Sequence, residues 1–229
     1  MRHLSVPYLP QKDIERAADE MLHEYSKVRG EPLAGGVDVD FVIERVLKLD
    51  LAVVDLKMLM SNPQVLGATV VEQRRIYVDQ SLEPLPGRFA FTLAHEVGHW
   101  QLHRRHLEAQ EREDTLFDLE QLGHAQIAPV VRAKKPPVEW QADQFAACLL
   151  MPARLVRAAV HEAFDGRLPA WDGIDARLAA GQPDERFIEV ASDVIVAGGF
   201  DNVSNVAMRI RLRDLKLVVD ASHPQRSLL

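Results

Sequence analysis

Apolar residues recur at helical spacing near the start of the chain. Ile14, Ala17, Ala18, Met21, Leu22 and Tyr25 follow the i, i+3, i+4, i+7 rule and predict a helix from Asp13 with one buried face. After a turn-rich stretch over 30–36, Asp40 can cap a second helix carrying Phe41, Ile43, Val46 and Leu47. The pattern then becomes that of extended chain. Residues 51–56 read as a strand, and residues 65–71 and 75–78 as two more, joined into a hairpin by Glu72, Gln73 and Arg74. Pro84, Pro86 and Gly87 end this region and admit a helix over 88–106, rich in Ala, Leu, Glu and Gln.

The following stretch breaks the periodicity. Residues 108–120 are strongly acidic, 123–129 are turn-prone, and 133–137 end in two prolines that cannot be helical throughout. A long insertion over about 107–137 is expected, read as a solvated excursion in preference to a lid. Helical spacing returns over 138–151, where Pro152 stops it, then over 154–164, 185–196 and 202–213, the last two flanking Gly198 and Gly199. These elements predict an α+β fold. A domain over 1–152 carries a short sheet packed on helices, and a helical region over 153–229 follows it.

Composition changes this picture little. The apolar fraction of 47% and charged fraction of 27% are those of an ordinary globular chain, so disorder and low complexity drop out. A net charge of −7 gives no overall cationic field for wrapping nucleic acid. One cysteine, Cys148, excludes an internal disulfide and a cysteine-rich metal cluster; its apolar surroundings read as core packing. The N-terminus lacks the apolar core of a secretory signal, and no later run approaches a membrane span, so the cytoplasm is the expected location.

Chemistry enters at Ala94-His95-Glu96-Val97-Gly98-His99-Trp100, which contains the pattern HExxH. Residues four apart on a helix share a face, so the imidazoles of His95 and His99 can meet one ion. A catalytic zinc takes three protein ligands and keeps its fourth position for water. Bound zinc lowers the pKa of water from ~16 toward ~7, which makes a neighbouring carboxylate such as Glu96 an adequate base at neutral pH. Gly98, with no side chain, permits close packing beneath such a site.

Two histidines leave the ligand set incomplete. On a continuous helix His103 and His106 lie roughly 12 and 16 Å along the axis from His95, too far to share its ion. A metzincin-like completion needs glycine at position 102 and histidine at 105, where this chain has Leu102 and Arg105. Both histidines are expected at the surface or behind the ligands. Glu139-Trp-Gln-Ala-Asp143 is the better source, because Glu139 and Asp143 share one helical face. One carboxylate there would bind metal and the other orient a histidine through its second ring N–H, a role that suits Asp143.

HEVGH followed by EWQADQFAACLLMP resembles the ImmA/IrrE family of bacterial and phage metallopeptidases, in the gluzincin group, over roughly residues 10 to 215. The resemblance implies His95, His99 and Glu139 as metal ligands and Glu96 as general base, with Asp143 at the Asn/Asp position of the second motif. It implies zinc, although two histidines and a carboxylate also tolerate manganese or iron. It implies a short twisted sheet on the metal helices, whose edge strand, in the hairpin over 67–78, could accept a substrate peptide. The segment from Gly199 to Leu215 resembles the helix-turn-helix-like ending of the family. The expected substrate is a cognate helix-turn-helix repressor, whose cleavage releases stress-response or mobile-element genes. The insertion is long for the family, and the C-terminal sensor domain that some members carry is not expected within these 229 residues.

Two other readings compete. In the first, a DNA-binding regulator with a structural metal site, Arg209, Arg211, Arg213 and Lys216 would meet phosphate; arginines two apart on a helix point to different sides, which argues against it. In the second, the domain binds a repressor without cutting it, and Glu96 argues against that, since a structural site needs no base. The residue that stabilises the oxyanion is not selected by spacing; His103, His124, Tyr77 and several arginines are available.

Overall fold

The computed structural model describes residues 6–115, 135–180 and 184–222. The chain divides into two compact units, one formed by Met1–Leu33 with Asp38–Leu150, the other by Ala34–Val37 with Met151–Leu229.

In the first unit, helix α1 (Gln11–Arg29) buries Ile14, Ala18, Met21, Leu22 and Tyr25 and stops at Gly30, which takes the left-handed conformation at φ +80. Its acidic start at Asp13 and basic end at Lys27 and Arg29 complement the helix dipole. The next helix is capped by Asp38, two residues before the expected cap Asp40: its carboxylate accepts from the Phe41 N–H at 3.0 Å. A turn of α-helix, α2 (Val39–Phe41), continues as a π-helical turn over Val42–Val46, burying Val39, Val42 and Ile43.

Three strands follow: β1 (Asp50–Val54), β2 (Gly67–Val70) and β3 (Arg75–Asp79). Their order is β1-β3-β2, with β1 parallel and β2 antiparallel to β3. The hairpin is therefore present, and β2 is an outer strand. β1 ends before the predicted residue 56 because Asp55 caps a short helix α3 (Leu56–Leu59), accepting from Met58 N–H at 3.0 Å. Asp79 closes the sheet by accepting from the N–H groups of Leu56, Lys57 and Ser81.

Helix α4 (Pro86–Gly98) begins with Pro86 at its first turn and passes through a π-helical turn, His99–His103, into α5 (Arg104–Thr115). The helix predicted to end at 106 thus runs on to Thr115, because the acidic residues there are also good helix formers. Of the rest of the expected insertion, residues 116–134, including His124, lie outside the described residues. Helix α6 (Pro137–Leu150) packs against both α1 and α4 and buries Val138, Ala142, Phe145, Ala146, Cys148 and Leu149. Gly98 sits at the α4 contact: a Cβ there would lie 3.1 Å from the Ala142 carbonyl oxygen and 3.3 Å from Phe145 Cβ. The glycine lets the two helices that carry the site's chemistry approach closely.

The second unit is mainly helical: α7 (Ala153–Ala163), α8 (Ile174–Ala179), α9 (Glu185–Gly198) and α10 (Asn205–Asp214). Asp184 and Ser204 cap α9 and α10, and Gly199 at φ +60 ends α9. Two short parallel strands, β4 (Ala170–Trp171) and β5 (Val219–Asp220), were not expected from the sequence. They are too brief for a periodic signal, and their junction is held by Asp220, which accepts from the N–H groups of Gly173, Asp175 and Ser222. Arg211 is 2% exposed and its Nε donates to the Met151 carbonyl. Among the described residues no helix is long and apolar enough to cross a membrane.

Candidate metal centre

His95 lies in the last turn of α4, His99 opens the π-helical turn, and Glu139 lies in the first turn of α6. Among the described residues these three form the group able to hold a metal ion, each offering one ligand atom, all within 4.8 Å of one another. His95 Nε2 and His99 Nε2 are 3.0 Å apart, and the Glu139 oxygens lie 3.3 Å from the first and 3.1 Å from the second. Glu139 Oε1 is buried and, though near His99 Nε2, has no hydrogen-bond partner among the described residues. A buried carboxylate with one oxygen against each of two imidazole nitrogens is a donor set that suits a divalent cation.

The electrostatics agree. Burial opposes charge on His95, yet Asp143 and Glu139 outweigh it and raise the ring's pKa to about 10. Burial likewise opposes charge on Glu139, but its pairing with His95 and His99 holds it well below the usual carboxylate range.

The far sides of the rings are occupied too. His95 Nδ1 donates to Asp143 Oδ1 at 2.9 Å, and Asp143 also receives Lys135 Nζ. Desolvation works against the Asp143 carboxylate, but His95 and Lys135 lower its pKa overall. His99 Nδ1 meets His103 Nδ1 at 3.1 Å, and His103 Nε2 meets Gln141 Oε1 at 2.8 Å. His103 is 1% exposed. Desolvation pushes its pKa down to about 4, only partly offset by Gln141. The His103 ring lies behind His99, tilted against it with centroids 5.3 Å apart.

Glu96 is 6% exposed and turned toward β2. Thr69 Oγ1 lies 2.7 Å from Glu96 Oε2 and 3.1 Å from the Glu96 carbonyl oxygen. Gly67, two residues earlier on the same face of the strand, leaves room for the other oxygen: a Cβ there would stand 2.6 Å from Glu96 Oε1. Sequence reasoning missed both residues. The signal available was a glycine in a strand, which marks close approach of another group.

Of the residues considered for an oxyanion, Tyr77 donates its hydroxyl to Gln73 at 2.7 Å, and both ring nitrogens of His103 are engaged. His106 Nδ1 is buried without a partner among the described residues.

The meeting of α4 with α6 beside a three-stranded sheet defines a mixed α+β class of domain in which a carboxylate from the downstream helix joins the two histidines of HExxH. Within it, the chain belongs to the IrrE N-terminal-like domain family (Peptidase_M78), whose profile matches residues 43–172. No curated protein matches the chain.

Proposed function

We propose that this protein is a zinc-dependent endopeptidase acting in the cytoplasm on a cognate helix-turn-helix repressor, so that cleavage releases the repressed stress-response or mobile-element genes. The observation that carries the catalytic reading is the convergence of His95, His99 and Glu139 on one point, with the Glu96 carboxylate held between α4 and the outer strand β2. His95 Nε2, His99 Nε2 and the Glu139 carboxylate would hold the ion. When bound, the metal supplies an electrophile that polarises the scissile carbonyl and makes water more acidic.

The remaining work falls to the chain's own residues. The Thr69 hydroxyl is directed at Glu96 Oε2, which leaves Oε1, beside Gly67, to take a proton from the attacking water. The water oxygen bonds to the carbonyl carbon, the C–N bond breaks, and Glu96 passes the proton to the departing amine nitrogen. Asp143 keeps the second proton of His95 on Nδ1, so that Nε2 presents its lone pair. An extended substrate segment would add to the outer edge of β2, next to Glu96.

The rival DNA-binding reading loses Arg211 to the protein interior. The decisive experiment incubates the purified, metal-analysed protein with the repressor encoded beside its gene and compares wild type with Glu96→Gln. Cleavage by the wild type alone, with metal retained in both, is the expected result. Equal cleavage by the variant refutes the base assignment, and metal-free wild type prepared without chelator refutes the site.

A further inference from the structure

A histidine can ligate a metal through Nε2 only if its remaining proton is on Nδ1, and in this site the two ligating histidines have different means of holding it there. For His95 the matter is simple: the ionised carboxylate of Asp143 only accepts, so Nδ1 must donate. For His99 it is ambiguous, because its Nδ1 faces another imidazole nitrogen, His103 Nδ1, at 3.1 Å, and either ring could supply the shared proton. If His103 supplied it, a neutral His99 would carry its own proton on Nε2, pointing at the metal position.

The ambiguity is resolved two groups further away. The side-chain amide nitrogen of Gln141 donates to the Pro7 carbonyl at 2.9 Å. A carbonyl only accepts, so the amide cannot be turned round without setting two oxygens against each other. Gln141 therefore presents Oε1 to His103 Nε2 at 2.8 Å. His103 Nε2 must carry a hydrogen, its Nδ1 is then the acceptor, and His99 donates. The direction of three successive hydrogen bonds is set by one backbone oxygen near the N-terminus.

We propose that His103 and Gln141 are positioning residues for the metal centre: with the Pro7 carbonyl they fix the proton of His99 on Nδ1 and leave Nε2 free to ligate. This rests on the metal reading above and adds to it a neutral relay, in contrast to the anionic support that Asp143 gives His95. Loss of such a supporting partner lowers metal affinity by about 10- to 100-fold.

The test measures zinc affinity by chelator competition for wild type, His103→Leu, His103→Asn and Gln141→Met, each first checked for a folded circular dichroism spectrum and cooperative unfolding. The asparagine side chain puts an amide oxygen close to where His103 Nδ1 was and can still accept from His99. Expected are a loss of about 10- to 100-fold in His103→Leu, a smaller loss in Gln141→Met, and recovery of most of the affinity in His103→Asn. Long-range nitrogen–proton correlation spectra of the zinc-loaded wild type should show His99 protonated at Nδ1 and His103 at Nε2. Unchanged affinity in His103→Leu and Gln141→Met, failure of asparagine to recover it, or a His103 proton on Nδ1 each overturns the relay while leaving the metal site in place. Wild type that binds no zinc, or His95→Ala that binds it as tightly as wild type, overturns the metal reading and the relay with it.

Discussion

Replacing Gly67 by alanine adds one methyl group to an outer strand and removes no titratable atom. The new Cβ would lie 2.6 Å from Glu96 Oε1, 2.9 Å from Glu96 Cγ and 2.9 Å from Thr92 Cγ2, where ordinary contact begins at 3.4 Å. The carboxylate oxygen must therefore retreat by 0.8 Å, and it is the tip of a flexible side chain, so it moves in preference to the strand. A misplacement of ~1 Å in a reacting group costs on the order of 100-fold in rate, so a proportionate shift costs about 40-fold in kcat/KM, or ~2 kcal/mol in the barrier. The assay uses whichever peptide the wild type cleaves in a mixed library read by mass spectrometry, with kcat/KM, zinc content and denaturant stability measured for both proteins. Zinc stoichiometry should be unchanged and stability should move by no more than ~1 kcal/mol, because the strand ladder is retained. A kcat/KM within twofold of wild type would falsify the view that β2 aims the base. Loss of zinc would show instead that the methyl group acts through His95.

Thr69→Val keeps the shape of the side chain and deletes the hydroxyl directed at Glu96; peptide hydrolysis should fall about tenfold with zinc affinity intact, and a combined loss of both contradicts this. Glu139→Gln should abolish stable zinc binding, and with it the fall in melting temperature on chelation that the wild type should show; at a metal concentration ~1,000 times Kd that stabilisation is about 4 kcal/mol. Gly98→Ala should cost roughly 1–3 kcal/mol in urea unfolding, since the added carbon meets the backbone of α6 at 3.1 and 3.2 Å; a neutral result means the helices can separate freely. Asp79 has its pKa lowered from 3.8 to about 2; burial opposes its charge, but donors from Ser81 and Lys57 outweigh that. Its folded-state pKa is depressed, so its contribution is complete above pH 3.8 and lost as pH falls through 2, and the stability gap between wild type and Asp79→Asn should close over that window.

The parts of the site that were legible in the sequence are those written in helical periodicity. HExxH declares two imidazoles on one face, and Glu139 with Asp143 declares two carboxylates on another, so four residues of the centre follow from spacing within two helices. Gly67 and Thr69 were not legible, because they reach Glu96 through packing of a strand on a helix, across 27 residues in the case of Thr69. His103 was half legible. Its spacing from His99 places the rings together, but its role depends on Gln141, 38 residues away, and on a carbonyl at Pro7. The hairpin was readable because Glu72, Gln73 and Arg74 interrupt two apolar runs. The strands β4 and β5, two residues each, carry no period to read. The π-helical turns escaped for another reason: residue spacing indicates a helix but not which carbonyl accepts each amide proton.

The alternation of β2 has a consequence for how this protein can change over generations. Gly67 and Thr69 face Glu96, so a replacement at either position alters the setting of its carboxylate. Ala68 and Val70 point to the opposite side and are free of that constraint. On the strand-addition reading proposed above, drift toward a new substrate would be channelled into alternate positions of one short strand, through residues 68 and 70.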